Sequence, residues 1–327
     1  MTRPAQNVLR RGWAGQTNRV SQTDRRGLRC LSALAVATLM TLLLAACGSD
    51  ASDRGAGSGA LRVVAAENFW GDITSQLGGT AVSVTSILSD PNTDPHEYES
   101  SAKNAAAVAR AALVITNGVG YDSFMQKLMK ASPSGSRHVV NVEDVVKPAG
   151  ENPNPHLWYQ PGYVLRAATA IEAELAELVP AQASTFKVNL ARFAAAERSQ
   201  VVDVIDQIKA KYQGEAIAYT ERVPGYLIEA AGLTLGVPAT FAQSIEDGND
   251  PSPGDERSFE SALTDHRVKV LLYNAQVTSP ATERLRALAK SNAVPVLAVT
   301  ETLPPGARNF QTWQGSQARA LLEALGG

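Results

Sequence analysis

Cysteine is almost missing from this chain: its 327 residues contain two, Cys30 and Cys47. Cys30 falls in a leader segment, so the remainder can form no internal disulfide and must rest its fold on buried apolar surface. Histidine is nearly as scarce, with four residues, His96, His138, His156 and His266. No Gly-x-x-x-x-Gly-Lys-Ser/Thr loop is present, which excludes a built-in nucleotide motor, and His-Glu-x-x-His is absent as well. Basic residues run short once the leader is set aside. Residues 1–46 hold seven of the 30 Lys and Arg but one of the 32 acidic residues, leaving 23 basic against 31 acidic, a formal net of −8. Such a balance argues against a nucleic-acid partner, which needs a basic footprint. It is compatible with drawing in cations.

What is present begins with processing signals. Arg25, Arg26 and Arg29 precede an apolar run over 31–46, which is short for a mature membrane span, and Leu44-Ala45-Ala46-Cys47 closes it. Small residues before a cysteine at the end of such a run resemble a bacterial lipobox. The resemblance implies removal of residues 1–46, lipidation of Cys47, and a membrane anchor on the extracytoplasmic face; a lone N-terminal anchor helix with an incidental cysteine is the alternative. Residues 47–60 read as a flexible tether, rich in Gly, Ser, Ala and Asp, spanning roughly 20 Å as a random coil.

From residue 61 strands and helices alternate. Strands are expected at 61–65, 82–87, 113–115 and 138–142, with helices at 69–77, 101–111 and 121–130 between them. Alternation of this kind predicts a parallel sheet covered by helices, with ligands at the carboxyl ends of its strands. The texture changes at residue 161: no glycine occurs between Gly162 and Gly214. Phe186, Leu190, Phe193, Val201, Val204, Ile208 and Tyr212 keep a spacing of three or four, with Glu197 as a polar interruption. An unbroken helix over 184–212 would be about 43 Å long, a strut able to cross a two-lobed molecule; a helical hairpin is the alternative. Alternation then resumes, with strands at 216–219, 235–240, 268–273 and 294–299 and helices at 226–231, 259–263, 281–290 and 316–325. The expected fold class is therefore α/β, with an N-terminal lobe over 61–160, a linking helical segment over 161–213 and a C-terminal lobe over 214–327. About 270 residues supply two modest cores.

Two of the four histidines stand directly behind a proline, in Asp94-Pro95-His96-Glu97-Tyr98 and Asn154-Pro155-His156-Leu157-Trp158. Proline stiffens both loops, which suits an imidazole that must be aimed at a metal ion. Either loop taken alone reads as an ordinary turn with a solvated ring; it is the pair that shifts the balance toward a metal. His138 reads as the start of a surface strand, and His266, beside Asp265 and Arg267, as solvated.

Several further motifs accompany these loops: Asn117-Gly118-Val119-Gly120-Tyr121-Asp122-Ser123-Phe124, Thr220-Glu221-Arg222-Val223-Pro224-Gly225-Tyr226 and Val299-Thr300-Glu301-Thr302-Leu303. In this order and spacing, with the long linking helix, the chain resembles the zinc- and manganese-specific solute-binding lipoproteins of bacterial ABC importers. The resemblance covers nearly everything from residue 61 onward. It implies a non-enzymatic, monomeric receptor whose transported Mn²⁺ or Zn²⁺ is held by His96, His156, Glu221 and Glu301, and whose partners are a permease and a separate ATPase subunit. Two departures stand out. Glu301 occupies a position that is usually aspartate, and the histidine-rich loop of many zinc members is missing. Glu221 resembles the manganese branch, whereas the usual divalent order favours zinc.

Two imidazoles and two carboxylates make a donor set of charge −2, which a divalent cation neutralises, so enclosing the loaded site costs far less than burying a lone ion. Carboxylates that bind through one or both oxygens supply four to six donors, which suits tetrahedral zinc and higher-coordinate manganese alike. Other functions use overlapping residues. A metallohydrolase would keep an open position and a general base; an organic-solute receptor or adhesin on this scaffold would bind no metal.

Overall fold

The computed structural model describes residues 59–90, 98 and 101–326. Cys47, the leader, the tether up to residue 58 and His96 lie outside the described residues.

The first sheet consists of β1 (Leu61–Glu67), β2 (Val82–Leu88), β3 (Leu113–Thr116) and β4 (His138–Asn141), in the order β2-β1-β3-β4 and parallel throughout. Helices α1 (Asn68–Gly78), α2 (Ala102–Ala109), α3 (Ser123–Ala131) and α4 (Val142–Val146) belong to this lobe. Next come α5 (Pro161–Leu178), which opens on a proline suited to a first helical turn, and α6 (Ala183–Glu197). A π turn over Arg198–Val202 joins α6 to α7 (Asp203–Tyr212) without a break. In the second sheet β5 (Ala216–Tyr219), β6 (Thr234–Leu235), β7 (Leu271–Asn274) and β8 (Val296–Val299) repeat the same winding, β6-β5-β7-β8, again parallel. Its helices are α8 (Gly225–Ala230), α9 (Ala239–Glu246), α10 (Pro253–Thr264), α11 (Pro280–Ser291) and α12 (Phe310–Ala324). Among the described residues no helix is long and apolar enough to cross a membrane.

Alternation along the strands sorts side chains to two faces. Val63 and Ala65 of β1 and Leu113 and Ile115 of β3 join a central cluster, while Val64, Ala66 and Val114 join an outer one with Phe124, Met125 and Leu128 of α3. The second sheet divides likewise. Ile217 and Leu272 face the centre; Ala218 and Leu271 face outward onto Phe241, Phe259 and Leu285. The two expected cores are thus three clusters, and the central one is shared by both sheets, the linking helices, α1 and α12.

The linking segment combines both readings of its sequence. α5 folds back on α6 through a short turn at 180–182, a hairpin, while 183–212 continue as one rod about 45 Å long. Phe193, Glu197 and Val201 are each four apart and all buried. Successive steps of four over-rotate an α-helix by roughly 40° each, and the wider π turn absorbs that drift so that one face stays inward.

One expected strand is corrected. Residues 235–240 do not extend β6, which ends at Leu235. Gly236 passes so close to Val268 that a Cβ there would lie 2.6 Å from its Cγ1, and Pro238, lacking an N–H to donate to a ladder, instead precedes α9. The strand expected at 268–273 begins in hydrogen bonds at Lys269 N to Ala216 O (2.8 Å), so its later start at Leu271 is a matter of boundary.

Candidate metal centre

The carboxyl ends of the second sheet's strands converge on Asn274, the last residue of β7. Glu221 follows β5 and Glu301 follows β8; all three side chains are buried, as is His156. The Asn274 amide donates to Glu221 Oε2 and to Glu301 Oε1, each at 2.8 Å. One amide nitrogen thereby holds two carboxylates, from different strand ends, side by side. Asn274 is itself held, its backbone N–H donating to Thr220 Oγ1 at 3.1 Å and its Oδ1 accepting from the Gln276 N–H at 3.1 Å. Gln276 Oε1 accepts in turn from the backbone N–H groups of Glu301 (2.5 Å) and Thr302 (2.9 Å).

His156 approaches from the segment between α4 and α5. Its backbone N–H and its Nδ1 both meet Asn154 Oδ1, at 3.1 and 2.7 Å. An amide oxygen only accepts, so Nδ1 carries the proton and Nε2 presents its lone pair. Nε2 lies 3.5 Å from Glu301 Oε2, is fully buried, and has no hydrogen-bond partner. Asn154 is clamped by its amide donation to the Arg222 carbonyl (2.7 Å), and the Tyr226 hydroxyl donates to the Asn154 carbonyl (3.1 Å). Arg222 is pinned by Glu246 at 2.6 Å; burial is the largest single effect and lowers the guanidinium's pKa, but the hydrogen bond and charge of Glu246, with Asp247 and Tyr219, outweigh it and leave the pKa raised. On the other side the Asn117 amide donates to the Pro155 carbonyl at 2.9 Å. The ring packs edge-on against Trp158 (5.2 Å) and Tyr121 (5.8 Å), and Trp158 stacks on Phe69 at 4.1 Å.

The Tyr121 hydroxyl donates to Glu301 Oε2 at 2.8 Å, so Glu301 is gripped from the first lobe by Tyr121 and from the second by Asn274. A cleft of about 180 Å³, lined by Gly120, Tyr121, Pro155, Arg222 and Asp247 among others, opens to the surface beside these residues.

Three of the four residues singled out from the sequence, His156, Glu221 and Glu301, therefore meet in one buried spot. The fourth, His96, lies outside the described residues, on the connection leaving β2. The other two histidines are elsewhere: His138 opens β4, and His266 is exposed at the end of α10. Sequence reasoning missed Asn274, Asn154 and the role of Tyr121. Asn154 and Tyr121 stand inside quoted motifs, whereas Asn274 carries no local signal beyond ending a strand.

Chemically the centre suits a cation. A buried imidazole lone pair 3.5 Å from a carboxylate oxygen is close to the ligand–ligand edge of a tetrahedral zinc site, about 3.3 Å for bonds near 2.0–2.1 Å. The amide and phenol that hold the carboxylates donate hydrogen bonds of the kind that orients the ligands in metal sites.

Several known proteins resemble this chain in sequence or fold. The manganese ABC transporter substrate-binding lipoprotein ScaA of Streptococcus gordonii is 25% identical over 272 residues, covering 78% of this chain and 84% of that protein. The manganese-binding lipoprotein MntA of Halalkalibacterium halodurans is 25% identical over 208 residues, covering 62% and 68%. Among solved structures, a manganese-bound variant of a periplasmic metal-binding protein from Candidatus Liberibacter asiaticus superposes with a TM-score of 0.68 at 19% identity, covering 80% of this chain and 98% of that one. A crystal structure of ZnuA gives 0.66 at 20% identity, covering 82% and 97%. The family model described as zinc-uptake complex component A, periplasmic, matches residues 63–324, and the chain belongs to that ZnuA family of transport components.

Proposed function

We propose that this protein captures a divalent transition metal, Mn²⁺ or Zn²⁺, in the cleft between its lobes outside the cytoplasmic membrane and hands it to an ABC permease driven by a separate ATPase subunit. The observation that carries this reading is the buried pairing of His156 Nε2 with Glu301 Oε2 at 3.5 Å, beside a second carboxylate held by the same asparagine. Glu221 and Glu301 supply charge and one or two oxygens each. His156 supplies a nitrogen whose tautomer Asn154 sets, and His96 completes the set from the connection after β2. Glu301, one methylene longer than the aspartate of the resemblance, reaches the centre with its carboxylate held by Tyr121 and Asn274. The protein acts as a monomer, tethered through a lipid on Cys47. The cargo enters by the cleft at Tyr121 and Pro155, and no substrate turnover is required of the site.

The test is titration of metal-stripped protein with ZnCl₂ and MnCl₂. Wild type takes up one ion in the cleft. His156→Ala and Glu221→Ala each weaken that ion by about 100-fold or more, the loss expected when one of four ligands to a buried metal ion is removed. Unchanged affinity in both variants overturns the ligand set.

A further inference from the structure

At the amino-terminal end of the first sheet's parallel strands, opposite the carboxyl ends that face the cleft, His138 meets two glutamates of α5. His138 opens β4, an edge strand, and its Nδ1 lies 2.6 Å from Glu174 Oε2. Glu177 stands one turn further along α5, on the same face at spacing i, i+3. One ligand atom from each of the three residues lies within 4.8 Å of the others. His138 and Glu174 are about one-third exposed, 32% and 30%, and Glu177 is exposed.

The cluster is electrostatically unfinished. Among the described residues no lysine or arginine forms an ion pair with Glu174 or Glu177. Both carboxylates lie toward the C-terminal end of α5, where the helix dipole already places negative charge, and the last turn contains no basic residue to offset it. Like charges one turn apart on a helix repel as well. A cation placed between these side chains relieves all three unfavourable terms at once. The imidazole selects which cation: calcium and magnesium bind through oxygen, whereas nitrogen with two carboxylates suits zinc and its neighbours in the divalent series.

We propose that His138, Glu174 and Glu177 form a second, surface site for a borderline divalent metal such as Zn²⁺, separate from the cleft and completed by water. Little movement is needed. The 2.6 Å separation between His138 Nδ1 and Glu174 Oε2 opens to about 3.3 Å when both bind one tetrahedral ion. Glu177 closes in from at most 4.8 Å, a change its exposed side chain accommodates by rotation. With only three protein ligands and free access for water, the site is weaker than the cleft and exchanges its ion faster.

Equilibrium dialysis of the tag-free protein against ZnCl₂, with metal content read by elemental analysis, tests this. Wild type is expected to take up two ions and His138→Ala one. Glu177→Gln, a change at an exposed side chain, weakens the second ion by about tenfold with an unchanged melting temperature. His266→Ala, which removes an exposed histidine elsewhere, keeps the wild-type count. The proposal is overturned if His138→Ala holds as many ions as wild type, or if His266→Ala loses the same ion. It stands apart from the cleft reading: should the cleft bind nothing, wild type holds one ion and His138→Ala none, so a difference of one still reports the surface site.

Discussion

Asn274 shows how one neutral side chain can organise two charged ones. Its amide donates to both Glu221 and Glu301 at 2.8 Å, and hydrogen bonds to charged acceptors are worth about 1.5–3 kcal/mol each when buried. Without it two buried carboxylates would repel and swing apart before any cation arrived. Asn274→Ala should therefore weaken zinc and manganese binding by about 10- to 100-fold, as loss of an outer hydrogen-bond partner typically does, while Tyr121→Phe, which spares the Asn274 clamp, should cost about tenfold or less. Competition titrations against a chelator dye separate these outcomes. Three buried acids away from the ligands set a different kind of expectation. Burial pushes Glu197 up to about 8 and Asp122 up to about 6, and Glu67 is raised well above its usual value by burial and by the neighbouring Asp122. Each holds a proton in the folded state that the unfolded chain releases, so stability falls as pH rises from the unfolded value toward the folded one, by at most about 1.4 kcal/mol per pH unit per group. For Glu197 that window runs from about 4.5 to about 8. Thermal melts should show a higher melting temperature near pH 5.5 than near pH 8, and Glu197→Gln should flatten the difference; an unaltered profile in that variant would count against the assignment. Of these residues Glu197 was visible in the sequence as a polar break in an apolar stripe. Asn274 was not, because an asparagine ending a strand looks like any other until the strands are brought side by side.

At the scale of elements, the rod over 183–212 and the last helix, α12, depend on one another. Gly315 of α12 lies against the π turn so closely that a Cβ would sit 2.4 Å from the Gln200 carbonyl oxygen, a backbone atom with no room to retreat. Arg319 caps the same carbonyl at 3.4 Å. Gly315→Ala is expected to destabilise the fold by about 1–3 kcal/mol through overpacking, seen as a lower urea midpoint with an unchanged slope. The stripe of apolar residues made the rod legible. The π turn was not foreseen, although its signal is there: Phe193, Glu197 and Val201 stand at two consecutive steps of four. Strand 235–240 was misread for the opposite reason, since its apolar composition satisfied a strand pattern while the close packing of Gly236 on Val268 prevented one.

On the scale of the whole molecule, the two lobes are tied far more closely than a hinge of loops would tie them. The Asn68 side chain donates to the Leu303 carbonyl and accepts from the Leu303 N–H, both at 2.9 Å, and Asp72 accepts from the Phe310 N–H at 2.8 Å. With a shared central core and a continuous rod joining the sheets, loading a metal should change the radius of gyration by no more than about 1 Å in solution scattering. A change of several ångströms would contradict this rigid arrangement. Asn68→Ala, which removes both bonds to Leu303, is expected to enlarge the difference between metal-free and loaded protein.

The α/β class and most of the order of strands and helices follow from local pattern, because a side chain's alternation along a strand is set by its neighbours in the chain. The identity of His156 as a candidate ligand was also local, resting on proline and scarcity. Glu221 and Glu301 were distinguished from the other acidic residues by resemblance alone. What brings them within reach of His156 is the parallel winding of the second sheet, which places the ends of β5, β7 and β8 together although they are separated by dozens of residues. That proximity, and the meeting of His138 with Glu174 and Glu177 across a strand and a helix, are distances in space, and local sequence pattern alone does not specify them.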